Sequence, residues 1–226
     1  MPLKLYYKGF LLLVFLFGCT ENVENNKFRI IPRTNWDTSS IEKQKEISIQ
    51  AKQLNSIVIH HSAFIQQPGP LVIQEYEIHK MGYDEIAYHF IIAENGAVYE
   101  GRSISIMGAH AGQTKEANEL ADSIRKGLSN KPIIEALQKD PDFGSIGICL
   151  DGNFEFDEPS NKQLESLSLL LKDLIIKYKI RKDKILLHKD VREKLIENKG
   201  LIPIGDATKC PGKYSYASIR AIISLL

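Results

Sequence analysis

The sequence predicts an α/β fold: one domain with a central mixed β-sheet flanked by helices. Three observations predict it. Short apolar, β-branched runs recur along the chain at Ile57-Val58-Ile59, Phe90-Ile91-Ile92, Ile146-Gly147-Ile148 and Ile185-Leu186-Leu187, the mark of buried strands. Helical periods alternate with them, most clearly from Gln163 to Tyr178, where Leu or Ile stands at positions 164, 167, 170, 171, 174 and 175. The 226 residues carry no internal repeat and suffice for one hydrophobic core.

The elements follow in order. Arg29 to Trp36 reads as an opening strand and loop, and Ile41 to Leu54 as a polar segment with helical character. Asn55 to His61 is a buried strand. Gln67-Pro68-Gly69-Pro70 is a turn. Leu71 to Lys80 is helical, with Ile73, Tyr76 and the stem of Lys80 expected on its inner face. Strands at Ala87–Ala93 and Val98–Arg102 flank Glu94-Asn95-Gly96-Ala97, where Asn-Gly suits a tight hairpin. Gly108-Ala109-His110-Ala111-Gly112 is a small-residue loop. The polar stretch from Thr114 to Asp142 holds two short helices, Lys115–Lys126 and Pro132–Lys139. Strands at Ser145–Leu150 and Lys184–Leu187 bracket the long helix, and Tyr214–Leu226 forms a terminal helix after Pro211-Gly212.

The start of the chain stands apart. Lys4 and Lys8 precede an apolar run from Phe10 to Phe17, followed by Gly18-Cys19. A positive start, a short apolar stretch and a small residue before a cut site read as an export signal over residues 1–18. The run is too short to span a bilayer. Leu16-Phe17-Gly18-Cys19 resembles a bacterial lipoprotein processing box, with Phe17 bulkier than usual. That resemblance implies cleavage before Cys19, acylation of its sulfur and anchorage in a cell-envelope membrane facing the periplasm or exterior. Residues 19–28 would be the polar tether and residues 29–226 the functional domain. Overall charge is near balance, with 29 basic and 28 acidic residues. It gives no footprint for nucleic acid and no steering toward a highly charged surface.

Two histidines and a cysteine carry the chemistry. His60 ends the run Ile57-Val58-Ile59, His188 follows Ile185-Leu186-Leu187, and Cys210 sits in Thr208-Lys209-Cys210-Pro211-Gly212. Together they offer two nitrogens and one sulfur for a zinc ion with a fourth position open, the arrangement of a catalytic site. The competing reading is two core histidines and an unused thiol. His60 and His61 point to opposite faces of a continuous strand, so at most one of them ligates. Cys149, in an apolar strand, reads as a buried free thiol, in preference to a disulfide with Cys210.

Several segments together resemble one family. Ile31-Pro32-Arg33 through Trp36, Ile57-Val58-Ile59-His60-His61-Ser62, Ile86-Ala87-Tyr88-His89-Phe90 and Gly96-Ala97-Val98-Tyr99-Glu100-Gly101-Arg102 stand in order. So do Gly108-Ala109-His110-Ala111, Ser145-Ile146-Gly147-Ile148, His188-Lys189-Asp190-Val191 and Thr208-Lys209-Cys210-Pro211-Gly212. The chain is similar to the zinc-dependent N-acetylmuramoyl-L-alanine amidases, the type 2 amidases that include a phage lysozyme and the peptidoglycan recognition proteins. The likeness runs from about Arg29 to the C-terminus, with an insertion over Gln113–Gly144.

The resemblance implies a peptidoglycan recognition protein-like fold, Zn2+ as cofactor, and peptidoglycan or muropeptides as partner. It makes His60, His188 and Cys210 the metal ligands, and Tyr88 and Thr208 the catalytic pair. His61 becomes the neighbour beside the substrate, and His110 lines the cleft as a candidate for substrate contact, with loop support as the alternative. Arg102 is a candidate to meet a stem-peptide carboxylate, with a strand-edge ion pair as the alternative. Asp190 is a candidate to accept a ligand histidine's ring proton, with a helix N-cap as the alternative. His89, alternating away from Tyr88, is expected to be structural. Ala87 stands where glycine is usual. Family members without the tyrosine often carry glutamate where Cys149 stands. The family also contains binding-only members that lack the zinc cysteine, and this chain keeps Cys210. The implied activity is hydrolysis of the bond between N-acetylmuramic acid and L-alanine; the alternative is a non-catalytic peptidoglycan-binding lipoprotein. The insertion is expected either to wall the cleft or to face solvent.

Overall fold

In the sheet, the two six-residue strands, with their β-branched runs, lie inside, and shorter apolar runs form the edges. The structure, a computed structural model, describes residues 29–37, 47–48 and 50–226. The expected leader and tether, Cys19 and the first part of the 41–54 segment lie outside the described residues. Strands β1 (Ile30–Ile31), β2 (Ser56–His61), β3 (Phe90–Ile92), β4 (Val98–Glu100), β6 (Ser145–Leu150) and β7 (Ile185–Leu187) form one six-stranded sheet. Its order is β1-β4-β3-β6-β2-β7. Only β3 and β4 pair antiparallel, through the Asn95-Gly96 hairpin; every other pairing is parallel. This is the mixed sheet expected. Two short strands, β5 (Gln113–Thr114) and β8 (Pro203–Ile204), pair antiparallel outside it.

The helices are α1 (Pro70–His79), α2 (Lys115–Arg125), α3 (Ile133–Leu137), α4 (Asn161–Tyr178), the single turn α5 (His188–Val191) and α6 (Tyr216–Leu225). Helix α4 begins with a capping box, in which the Ser160 hydroxyl accepts the Gln163 N–H and Gln163 returns a bond to the Ser160 N–H. Among the described residues, no helix is long and apolar enough to cross a membrane.

Strand alternation decides where the site lies. Ile57 and Ile59 of β2, with Ile146, Ile148 and Leu150 of β6, face Leu167, Leu170, Leu171 and Leu174 of α4 in the main core. Each such fully buried leucine contributes about 1.5–3 kcal/mol. Val58 joins Ala111, Leu186, Val191 and Ile196 on the other face, and His60 shares that face by parity. On β6 the same face presents Gly147 and Cys149. Gly147 therefore leaves an unfilled notch in the sheet directly below the loop that carries His110.

Two expectations change. Helix α1 was expected to turn Ile73, Tyr76 and the Lys80 stem inward; it buries Ile73, Gln74 and Glu77, and Tyr76 is 46% exposed. The polar pair is satisfied in place. Gln74 Oε1 accepts from Arg33 Nη2 at 2.7 Å, and Glu77 accepts the Ala87 N–H at 2.8 Å. The Ala87–Ala93 strand is shortened to Phe90–Ile92. Its first part turns away because the Tyr88 carbonyl takes the Arg102 N–H while the Arg102 side chain takes the Ile86 carbonyl.

Candidate metal centre and cleft

Strand β2 delivers His60 at the carboxyl end of the sheet, between β6 and β7. The next strand over ends at Leu187, as expected, and His188 opens α5 directly after it. Cys210 arrives from a loop held by three backbone links. The Lys189 N–H donates to the Cys210 carbonyl at 2.9 Å, the Cys210 N–H donates to Thr208 Oγ1 at 3.0 Å, and the His61 N–H donates to Cys210 Sγ at 3.3 Å. His60, His188 and Cys210 each then offer one ligand atom, all within 4.8 Å of one another. Cys210 Sγ lies 3.7 Å from His60 Nδ1, and the two imidazole centroids are 4.4 Å apart.

The 3.7 Å separation of sulfur and nitrogen fits a tetrahedral ion. Zinc bond lengths of about 2.0–2.3 Å put neighbouring donor atoms about 3.3–3.6 Å apart. The donors are also in a suitable form. Burial, then the neighbouring rings of His188 and His110, holds His60 well below the usual histidine range. Burial brings His188 down to about 4. Both imidazoles are thus neutral near pH 7, the state that ligates. Burial pushes the Cys210 thiol up to about 12, partly offset by the His61 N–H. A thiol so placed ionises only with a cation beside it. Nitrogen with thiolate is a donor set suited to zinc.

Tyr88 stands next to this triad, its ring 5.2 Å from that of His60 and stacked 6.3 Å from that of His110. Burial holds its hydroxyl well above the usual tyrosine range, so it remains a proton donor. Thr208 is partly buried, and its Oγ1 accepts the Cys210 N–H, which fixes the thiol loop. His61 points to the opposite face from His60, where its Nδ1 accepts the Phe154 N–H at 3.1 Å; burial brings it down to about 4. His89 is structural, as expected: Nδ1 accepts the Gly147 N–H at 2.9 Å and Nε2 lies 3.0 Å from the Ile106 carbonyl.

Four expected positions differ. His61 was expected beside the substrate, yet its ring faces away from that of His60 and accepts the Phe154 N–H. His110 was expected to line the cleft, yet its side chain is 0% exposed. The ring lies behind His60, with Nδ1 3.1 Å from His60 Nε2. It fills the notch at Gly147, where an added Cβ would stand 2.4 Å from His110 Cδ2. Arg102 was expected to offer its guanidinium to a substrate carboxylate. Instead Nε donates to the Ile86 carbonyl at 3.0 Å and Nη1 to the Met107 carbonyl at 2.8 Å, with Glu85 Oε1 3.3 Å away. The ion-pair alternative therefore describes it, with backbone bracing added. Asp190 was expected either to accept a ligand histidine's proton or to cap a helix. Its carboxylate pairs with Arg220 at 2.8 Å and lies 3.7 Å from Lys189, while Leu187 holds the cap position.

Asp142, at the end of the insertion, was not anticipated. It is 5% exposed, and its Oδ1 accepts the N–H groups of both His110 and Ala111 at 2.8 Å. The sequence signal was faint: an acid in a polar stretch, three residues before an apolar strand. The insertion itself is tied down at both ends of its course. Strand β5 pairs with β8, Glu116 accepts the Ile202 N–H at 2.9 Å, and the Thr114 hydroxyl donates to the Lys139 carbonyl at 2.7 Å. Gly112 and Gln113 also line, with His188 and Thr208, a small cavity of about 50 Å³ beside the triad.

Comparison with known proteins identifies the fold and the family. Peptidoglycan-recognition protein SD of Drosophila melanogaster is 29% identical over 149 residues, covering 66% of this chain and 58% of that protein. Peptidoglycan-recognition protein SC2 of the same species is 26% identical over 221 residues, covering 94% and 95%. The crystal structure of the Drosophila SD protein superposes with a TM-score of 0.58 at 25% identity, over 86% of this chain and 94% of that one. N-acetylmuramoyl-L-alanine amidase LysC from Clostridium intestinale shares the fold, with a TM-score of 0.56 at 23% identity over 87% and 96%. The family described as N-acetylmuramoyl-L-alanine amidase matches residues 50–213, a span that contains every strand and loop of the metal centre, and the chain belongs to that family.

Proposed function

We propose that this protein is a zinc amidase that hydrolyses the amide bond between N-acetylmuramic acid and L-alanine in peptidoglycan or muropeptides. The observation that carries the reading is the meeting of His60, His188 and Cys210 within 4.8 Å, beside Tyr88, in a chain of the amidase family. A zinc ion held by the three side chains would supply Lewis acidity toward the scissile carbonyl and toward a water in the open fourth position.

The protein's own groups do the rest. His60 and His188 present neutral nitrogens, and Cys210 presents a sulfur that accepts the His61 N–H, on a loop held by the bond from the Cys210 N–H to Thr208 Oγ1. Tyr88 keeps its proton and so can donate a hydrogen bond to the oxygen that becomes negative as the carbonyl is attacked. It can also pass that proton toward the departing amine. Thr208 holds the thiol loop and keeps its own hydroxyl hydrogen free to orient water or carbonyl. Cleavage before Cys19 and acylation of its sulfur would keep this activity on a cell-envelope membrane; fractionation of cells carrying Cys19→Ala tests that placement.

The test of the activity is stem-peptide release from purified peptidoglycan by a soluble form starting at Thr20, read by mass spectrometry. Zinc-dependent release that is lost with a chelator and in Cys210→Ala is the expected result. No release from folded, zinc-loaded protein would overturn the amidase reading, and binding of the same material would then be the function.

A further inference from the structure

His110 and Asp142 form a chain behind the metal centre, and its geometry fixes where protons sit. His110 Nε2 is buried with no well-formed hydrogen bond and lies 3.5 Å from Asp142 Oδ1, and the Ser145 backbone also favours a proton on this ring. That separation is too long for a strong hydrogen bond but short enough for the carboxylate to choose between the two neutral forms of the ring. A bare lone pair on Nε2 would face the carboxylate and be repelled; an N–H there is attracted. Nε2 therefore carries the proton, and Nδ1 is left as an acceptor. His110 Nδ1 in turn lies 3.1 Å from His60 Nε2, so His60 must donate from Nε2. The lone pair of His60 then sits on Nδ1, the atom 3.7 Å from Cys210 Sγ.

We propose that Asp142, acting through His110, is a positioning residue that sets the tautomer of His60 and so aims its Nδ1 lone pair at the metal position before any ion arrives. The ring of His110 cannot swing out of this role. Gly108 and Gly147 close on it so tightly that an added Cβ at either would stand 2.5 Å or 2.4 Å from its Cδ2. Asp142 cannot swing either, because Oδ1 also holds the N–H groups of His110 and Ala111. The last residues of the Gln113–Gly144 insertion thus brace the centre, and the insertion is no free excursion. The proposal rests on the zinc centre proposed above.

Two measurements test it, and one does not need the metal. Nitrogen-15 imidazole shifts of the metal-free wild-type protein should show protons on Nε2 of both His60 and His110. Asp142→Asn, which keeps an oxygen for the two backbone donors but removes the charge, should mix the two neutral forms of His110. A wild-type His110 protonated on Nδ1 would overturn the proposal, whatever becomes of the zinc reading. The second measurement is zinc affinity by competition with a chromophoric chelator. His110→Phe keeps a ring in the slot but removes the acceptor for His60, and should weaken zinc binding about 10–100-fold. Wild-type affinity in a folded His110→Phe protein would overturn the relay while leaving the metal centre standing. Cys210→Ser in the same assay tests the centre itself: undiminished zinc binding there would remove the centre and the relay's role with it.

Discussion

Gly147→Ala probes the packing that seats the metal centre, and its effect can be worked out from the structure. The new Cβ would stand 2.4 Å from His110 Cδ2 and 2.7 Å from its Cγ. Carbon atoms in contact rest about 3.5–4.0 Å apart, so the ring must retreat by about 1 Å. Its room to retreat is small, because Gly108 also packs against it, an added Cβ there standing 2.5 Å from the same Cδ2. Overpacking of this kind costs about 1–3 kcal/mol. In a chain of this size that lowers the melting temperature by about 2–12 °C. The retreat also stretches the 3.1 Å contact between His110 and His60, so zinc affinity should fall along with stability. Thermal melting by circular dichroism with and without added zinc reads both effects. A melting temperature within 1 °C of wild type, by rough allowance for scatter, with unchanged zinc affinity would show that the slot around His110 is looser than the distances say.

Three further outcomes follow from the geometry. Tyr88→Phe removes the donor beside the triad while leaving its ring in place, and should lower kcat about 10²–10³-fold with little change in KM; an equal loss confined to KM would assign the hydroxyl to substrate binding instead. Glu77 is pushed up to about 7, first by burial, against the Ala87 N–H and Arg102 that favour its charge. The folded state therefore holds this proton more tightly than the unfolded chain, so stability falls as pH rises from about 4.5 to about 7, by up to about 3 kcal/mol. Glu77→Gln, which can still accept the Ala87 N–H, should flatten that part of the slope in urea melts at pH 5 and pH 8, and an identical slope in both proteins would count against it. Arg102→Lys should destabilise the fold by about 1–3 kcal/mol through lost bonds to the Ile86 and Met107 carbonyls, yet leave the preference between carboxylate and amidated stem peptides unchanged; a selective loss for the carboxylate form would restore Arg102 to substrate recognition.

The sheet was legible because it depends on local pattern: apolar runs named the strands. Local pattern only offered a histidine or cysteine next to a strand end or a Pro-Gly turn, and the family resemblance singled out the three candidate ligands that the fold brings together. Parity within β2 separated His60 from His61, and the same argument placed His89 away from Tyr88. What the sequence hid depends on pairing across the fold. Gly108-Ala109-His110-Ala111 reads as an open loop of small residues, yet their smallness serves to let the chain close on the His110 ring. Arg102 reads as a free cation because its carbonyl partners, Ile86 and Met107, belong to turns with no side-chain signature. Counting apolar residues in α1 favoured Tyr76 over Gln74 and Glu77. The latter pair is inside because each has a specific partner, Arg33 for one and the Ala87 N–H for the other. Asp142 lies 32 residues from His110 within a charged stretch, where one more acid carries no distinguishing mark.

The ligands are brought together from far apart: Cys210 and His60 meet across 150 residues of chain. No local hairpin or loop could preserve the triad if the sheet came apart, so an ion seated there would be tied to the folded sheet and to the closed Cys210 loop. Free zinc at a thousandfold excess over its dissociation constant would add about 4 kcal/mol to the stability of the whole molecule. The protein's lifetime in the presence of proteases would then follow the supply of the metal. On the zinc reading, scarcity of the metal would empty the site and remove that added stability together.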